Sequence, residues 1–437
     1  MSGTFDSPPG GYRQRIVDDE LDELIAGLPA IALEGPKAVG KTAMALQRAA
    51  TVYQLDDSDE RALAEIDSSR LLRGERPILI DEWQRVPESF DRVRRAVDAG
   101  AEAGSFLLAG SASPIEPSTH SGAGRIVRVR LRPLTLAERD VDTPSVSLGG
   151  LLRGGHTGAG ETPIDGRTKV GLGDYVHEIL SSGFPGLRGL SDRLTRTQLD
   201  GYIDRIIDRD FEELGRRVRR PETLRNWMRA YAAATATTAS YEKIRDAATS
   251  GHHEKPARAT TQPYRDVLER LWILDPVPAW LPTRSRLTRL TAPPKHHLAD
   301  PALAARLLDV DDATLLRTAS PDSPPIAGDV TLLGALFESL VTLSVRVYAQ
   351  ASEAHTYHLR TWNGKHEIDL IVERGQQVIA IEVKMGHTPS DRDVRHLHWL
   401  RRELGDSLTE AIVVTTGSFA YRRPDGIAVV PAALLGP

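Results

Sequence analysis

The chain has 437 residues, enough for about two to four domains with sizeable cores. Its formal net charge of −5 gives no global nucleic-acid signature, and 40% hydrophobic with 26% charged residues is a soluble globular composition. No cysteine is present, which excludes disulfides, thiolate zinc sites and iron–sulfur clusters; with no apolar leader or membrane-length run evident, the reading is a cytoplasmic protein with no membrane partner.

Residues 1–11 are rich in Pro, Gly and Ser and are expected to be loose. Over residues 12–27 the apolar positions Ile16, Val17, Leu21, Leu24 and Ile25 recur with a helical period. An apolar run, Ile31-Ala32-Leu33, then leads into Gly35-Pro36-Lys37-Ala38-Val39-Gly40-Lys41-Thr42 and a helix of strong helix formers over 43–50. The pattern G-x-x-x-x-G-K-[ST] between strand and helix is a phosphate-cradling P-loop. Gly35 and Gly40 permit the turn and the close approach. Amides at the helix start make an anion site, Lys41 reaches the β- and γ-phosphates, and the Thr42 hydroxyl ligates Mg²⁺. Only eight of the 55 basic residues are lysine, so the lysines at 41 and 384 draw notice.

Residues 51–55 read as a second strand, and Pro77-Ile78-Leu79-Ile80-Asp81-Glu82 as an apolar strand ending in two acids. That is the form of a Walker B strand: Asp81 holds the Mg²⁺ shell and Glu82 orients the attacking water. A helix is expected over 88–99 and a strand over 105–111. Ser111 at its tip is either a γ-phosphate sensor or an ordinary cap residue. Residues 125–131 alternate as a fifth strand, with Arg125 either an arginine finger or a solvated edge residue. A finger acting in trans would require a homo-oligomer.

The combination of Gly35 to Thr42, Ile80-Asp81-Glu82-Trp83-Gln84 and Leu107-Leu108-Ala109-Gly110-Ser111-Ala112-Ser113 resembles a bacterial branch of the AAA+ ATPases. Arg132-Pro133-Leu134-Thr135-Leu136-Ala137-Glu138 and Ser182-Gly183-Phe184-Pro185 are similar to the same branch. The resemblance implies ATP as nucleotide, with a helical winged-helix-like region and a nuclease-like domain following the ATPase. No typical AAA+ lid follows Glu138, which argues against the usual hexameric ring.

Residues 141–173 read as a Gly/Ser-rich linker, and 174–312 as a helical, winged-helix-like domain. Helices around 241–245 and 264–274 could form a helix-turn-helix for DNA, although the turn is long; a structural winged helix is the other reading. The adjacent pairs His252-His253 and His296-His297 are expected at the surface, not as metal ligands. In 313–437 an apolar helix carries Glu338, and the segments His366-Glu367-Ile368-Asp369 and Ile381-Glu382-Val383-Lys384 resemble the PD-(D/E)xK nuclease fold. On that resemblance Glu338, Asp369 and Glu382 are hard ligands for Mg²⁺ and Lys384 orients water or stabilises phosphorane charge. Arg374-Gly375-Gln376-Gln377 suits a type II′ hairpin turn. Its register sets Asp369 opposite Glu382 and Glu367 opposite Lys384, all on one face, with Ile368, Leu370, Ile381 and Val383 on the other.

The expected fold is therefore α/β: a P-loop AAA+-type parallel sheet in 1–140, the linker, the helical domain, and a restriction-nuclease-like α/β domain. Three functions fit it. One is an ATPase whose hydrolysis switches the attached domains, and another an ATP-gated, Mg²⁺-dependent nuclease. The third is a DNA- or partner-binding regulator using ATP as a conformational ligand.

Overall fold

The computed structural model describes residues 11–111, 124–154, 163–216, 218–249, 257–280, 293–318, 332–361 and 364–437. The N-terminal strands are short, and the three central ones are almost wholly apolar and buried, as strands covered on both faces must be, while the two edge strands carry polar or charged residues. The five are β1 (Ala30–Glu34), β2 (Thr51–Gln54), β3 (Ile78–Asp81), β4 (Phe106–Gly110) and β5 (Val127–Arg130). All pair in parallel, in the order β2-β3-β4-β1-β5. Alternate residues serve the two faces. Ile31, Leu33, Leu79, Leu107 and Val129 join Val17 and Leu21 of the helix Val17–Gly27, while Ala30, Ala32, Ile78, Ile80 and Leu108 face Phe90 and Val93 of the helix Glu88–Asp98.

The stretch 141–173 is not a free linker. Within it β6 (Val146–Ser147) pairs with β15 (Leu435–Gly436), and β7 (Gly166–Arg167) pairs with β13 (Phe419–Arg422). Leu148, Leu151 and Leu152 of the helix Leu148–Gly154 are buried in the common core. Glycine and serine lowered the apparent hydrophobicity, yet three leucines on one short helix suffice to dock it.

The middle segment is helical, with helices Leu172–Leu180, Asp192–Arg205, Pro221–Ala233, Tyr241–Ala247, Arg258–Arg270 and Pro301–Leu307. The expected turn at 251–256, with His252 and His253, lies outside the described residues. His296 and His297 correct a sequence expectation, being 0% and 2% exposed. The chain passes through the interior here, and His296 bonds the Ala239 carbonyl at 2.7 Å through Nε2. The helix Asp312–Thr318 crosses the boundary expected at 312/313 and packs on Leu172–Leu180.

The C-terminal sheet is mixed. Its eight strands run β7-β13-β14-β12-β11-β10-β9-β8, with β8 (Ala279–Trp280), β9 (His355–Arg360), β10 (Glu367–Arg374), β11 (Gln377–Lys384), β12 (Leu408–Thr415) and β14 (Ala428–Pro431). The helix Leu332–Ala351 is long and apolar enough to cross a membrane, contrary to the sequence reading, but 83% of its apolar window is buried inside the protein. It is a core helix: Leu136 N donates to Ser344 Oγ at 3.2 Å, and Leu336, Leu340 and Tyr348 join the cluster that includes β1 and β11.

One ion group joins the three segments. Asp275, from the middle segment, takes Arg132 Nε at 2.8 Å from the N-terminal domain and Arg346 Nη2 at 3.2 Å from the long helix. Burial alone would raise its pKa, but Arg132, Arg346 and Arg130 hold it far below the usual carboxylate range. Replacing Asp275 with alanine strands two guanidiniums in the interior. The expected cost is about 3–5 kcal/mol, read as a lowered midpoint of urea unfolding; a loss under about 1 kcal/mol would mean the arginines find other partners.

Candidate functional site: the P-loop and the C-terminal carboxylates

The carboxyl ends of β1, β3 and β4 converge on one spot, where a parallel sheet presents its ligand site. After β1 the loop folds over the sheet end. A Cβ on Gly35 would stand 2.4 Å from the Leu131 carbonyl oxygen, so only glycine lets the strand pass. Gly40 has φ 103°, which glycine adopts freely, and from there the helix Lys41–Leu46 starts. Lys41 is 6% exposed and donates to the carbonyls of Gly35 and Pro36, both at 2.9 Å. Burial lowers its pKa to about 8, opposed by Glu82 and Asp81.

Thr42 Oγ1 donates to both oxygens of Asp81, at 3.0 and 3.1 Å. Burial and the neighbouring Glu82 charge push Asp81 up to about 6. A hydroxyl and a carboxylate in contact at the end of β3 are hard oxygen donors, and they fit Mg²⁺. Glu82, with φ 52°, turns its carboxylate toward β4, where Ser111 Oγ donates to Oε2 at 3.2 Å and Gln84 Nε2 also donates. Walker A, Walker B and Ser111 are thus brought together. Pro36, Lys37, Ala38 and Val39 form the loop between them.

Arg125 is not among them. It precedes β5, at the amino end of the sheet, and pairs with Asp98 at 2.8 Å. In a parallel sheet that edge faces away from the P-loop, so it does not reach the site within its own chain. Residues 112–123 lie outside the described ones.

Two features escaped the sequence reading. Lys37, inside the P-loop, places Nζ 2.6 Å from Asp210 Oδ1 and 2.9 Å from Glu213 Oε2. Asp210 closes a single π-helical turn, Ile206–Asp210, that interrupts the helices of the middle segment. The acids looked like the solvated face of an amphipathic helix, and nothing local linked them to residue 37. The second is Arg130, aligned with Glu34 at the end of β5. Its guanidinium stacks 3.7 Å from the Trp272 ring, and all three of its nitrogens are buried without a hydrogen-bond partner among the described residues. Burial lowers its pKa to about 9.

The C-terminal cluster keeps much of its expected geometry. The hairpin pairs Arg374 with Gln377 and steps out to Leu370 opposite Ile381. Just beyond, Val383 N donates to Asp369 Oδ2 at 2.9 Å. Lys384 Nζ lies 2.9 Å from Glu382 Oε2 and 3.9 Å from Asp369 Oδ2. Two details differ. Glu367 pairs with Arg360 across β9 at 3.3 Å and not with Lys384, and a register shift between Ile368 and Ile371 sends Ile368 to the opposite face from Leu370. Glu338 and Asp369 are joined not by an open space but by Lys295, whose Nζ is 2.6 and 3.0 Å from them. Among the described residues no group of three His, Cys, Asp or Glu side chains is arranged to hold a metal ion.

Residues 28–139 match the AAA domain family. Fold, loop and family together define this part of the chain as a P-loop AAA-type ATPase domain. Residues 172–314 and 333–435 match two families described as domains of unknown function, DUF8612 and DUF4143. Uncharacterized proteins of Mycobacterium bovis and Mycobacterium tuberculosis are each 26% identical over 414 residues, spanning 92% of this chain and 80% of their own length. Among solved structures, a Walker-type ATPase of Pyrococcus abyssi covers 68% of this chain and 95% of its own, at 15% identity and a TM-score of 0.39, a likeness too slight to carry inference.

Asp81 sets a pH dependence. Its ionised form is the one that would hold Mg²⁺, and that form is lost as pH falls through about 6. Affinity for Mg²⁺ with a non-hydrolysable ATP analogue should weaken above about pH 8 as Lys41 loses its charge, and should drop toward tenfold per unit below about 6 as Asp81 is protonated. In Asp81→Asn binding should be weak and the drop below about pH 6 should be lost; an unchanged acid-side slope would assign the titration elsewhere.

Proposed function

We propose that the protein is a Mg²⁺-dependent ATP hydrolase whose nucleotide state is passed through the middle segment to the C-terminal domain. The observation that carries this reading is the ion pair of Lys37 with Asp210 and Glu213, because it ties the phosphate loop directly to another domain. In the structure Lys41 and Lys37 hold internal acceptors. Phosphate oxygens would exchange for those acceptors: Lys41 leaves two neutral carbonyls for an anion, a gain in charge-assisted hydrogen bonding. Polyphosphate would also bring negative charge beside Asp210 and Glu213, which favours opening the latch. Thr42 and Asp81 would hold Mg²⁺, which when bound neutralises charge on the β- and γ-oxygens. Glu82 would orient the attacking water, with Ser111 and Gln84 fixing its carboxylate. Arg130 has unused donors near Lys41, whose charge it perturbs, and would meet the terminal phosphate.

The C-terminal domain is on this reading a receiver of the nucleotide signal. Its likeness to a nuclease rests on Glu338, Asp369, Glu382 and Lys384, but with Lys295 between two of the acids no cleavage step is drawn through it.

Steady-state ATP turnover with Mg²⁺ tests the proposal. Lys41→Ala should weaken nucleotide binding roughly 10–100-fold, from lost charge-assisted bonds of about 1.5–3 kcal/mol. Glu82→Gln should keep binding and lower turnover by about 10²–10³. Normal turnover in Glu82→Gln would sink the hydrolase reading. For the latch, Asp210→Asn with Glu213→Gln should tighten binding of the analogue about tenfold, a coupling near 1.4 kcal/mol. Weaker binding would instead make these acids supports of the loop.

A further inference from the structure

Lys295 is a buried charge that the nucleotide chemistry does not use. It sits in the middle segment, where Lys295 and Val277 exchange backbone hydrogen bonds at 2.8 and 2.9 Å. That bridge projects its side chain into the C-terminal domain, leaving it 1% exposed. An ammonium removed from water costs several kcal/mol unless it is closely paired. Here Nζ meets Glu338 Oε1 at 2.6 Å, from the long helix, and Asp369 Oδ1 at 3.0 Å, from β10. Burial alone would lower the lysine pKa; Asp369 and Glu338 hold it far above its ordinary value.

The second ammonium completes the set. Lys384 reaches Glu382 and the other Asp369 oxygen, so three carboxylates from three elements share two lysines. One oxygen, Glu382 Oε1, is buried and has no partner among the described residues. Mg²⁺ demands near-octahedral oxygen ligation at about 2.0–2.1 Å. While Lys295 stands between Glu338 and Asp369, those two acids cannot close on one ion, and a divalent cation would face two ammoniums. The residues as they stand do not fit a metal.

We infer that Lys295 is the resident cation of this carboxylate cluster, an ammonium plug supplied by the middle segment that excludes divalent metal from the C-terminal domain and pins the two segments together. The plug follows from geometry at the cluster and does not depend on ATP hydrolysis. Without it, Glu338, Asp369 and the unpartnered Glu382 oxygen form a hard-oxygen set of the kind that takes Mg²⁺ or Mn²⁺.

The test is Mn²⁺ binding to the nucleotide-free full chain, followed by electron paramagnetic resonance, in an Asp81→Asn background that silences the P-loop. With Lys295 intact, no saturable Mn²⁺ site is expected. Lys295→Gln, which keeps length and hydrogen bonding but not charge, should gain one saturable site and a Mn²⁺-dependent rise in Tm. Adding Asp369→Asn should remove both gains, and Lys295→Arg should remain silent. A saturable site in the Lys295-intact protein that Asp369→Asn abolishes would overturn the inference. So would a folded Lys295→Gln variant that gains no site. Should that variant not fold, Lys295→Met, which also removes the charge, is measured in its place with the same two outcomes deciding.

Discussion

A carboxylate held between two guanidiniums sets the relation of the three parts of this chain. Asp275 cannot be left alone in the interior, and neither can Arg132 or Arg346, because an unpaired buried charge costs more than the pair gains. Each residue comes from a different segment, so none of the segments can move without disturbing the charge balance of the other two. Arg132 lies two residues past the end of β5, and Arg130 ends that strand against Trp272 of the middle segment. The strand beside the P-loop is therefore fixed from outside its own domain.

The same constraint shapes both chemical sites. At the P-loop Lys41 holds the carbonyls of its own loop, Lys37 the acids of the π turn, and the Thr42 hydroxyl the Asp81 carboxylate, while the Arg130 guanidinium has no hydrogen-bond partner among the described residues. On the proposed function, ligand binding there would be an exchange of partners, which lets its energy act on whatever held the old partner. At the C-terminal cluster the exchange is blocked, since Lys295 is itself the partner of Glu338 and Asp369. One site has internal acceptors that a phosphate could replace, and the other a built-in cation.

Apolar packing supplies the frame for these charges. A single hydrophobic cluster runs from Leu33 and Val129 in the first sheet through Leu336 and Leu340 in the long helix to Ile381 and Val414 in the second. The helix Leu332–Ala351 is apolar on nearly every side because it has protein on nearly every side. Composition of this kind looks like a membrane span until its neighbours are known.

What the sequence determined by itself was local. The P-loop, the acidic end of β3 and the five parallel strands are written in runs of fewer than a dozen residues, where glycine, apolar period and turn chemistry act directly. The Gly375 turn likewise set the β10–β11 register, because strand alternation propagates it. Tertiary structure decided everything that joins distant positions. Lys37 meets Asp210 across 173 residues, and Lys295 meets Asp369 across 74, with no local signal at either end. The bulge that sent Ile368 to the other face and the burial of His296 and His297 depend on which element packs there. Residues 141–173 looked like a tether for the same reason: a few leucines become core only once a sheet is present to receive them. Charge pairing and burial are properties of the assembled interior, and sequence order does not encode which groups will share it.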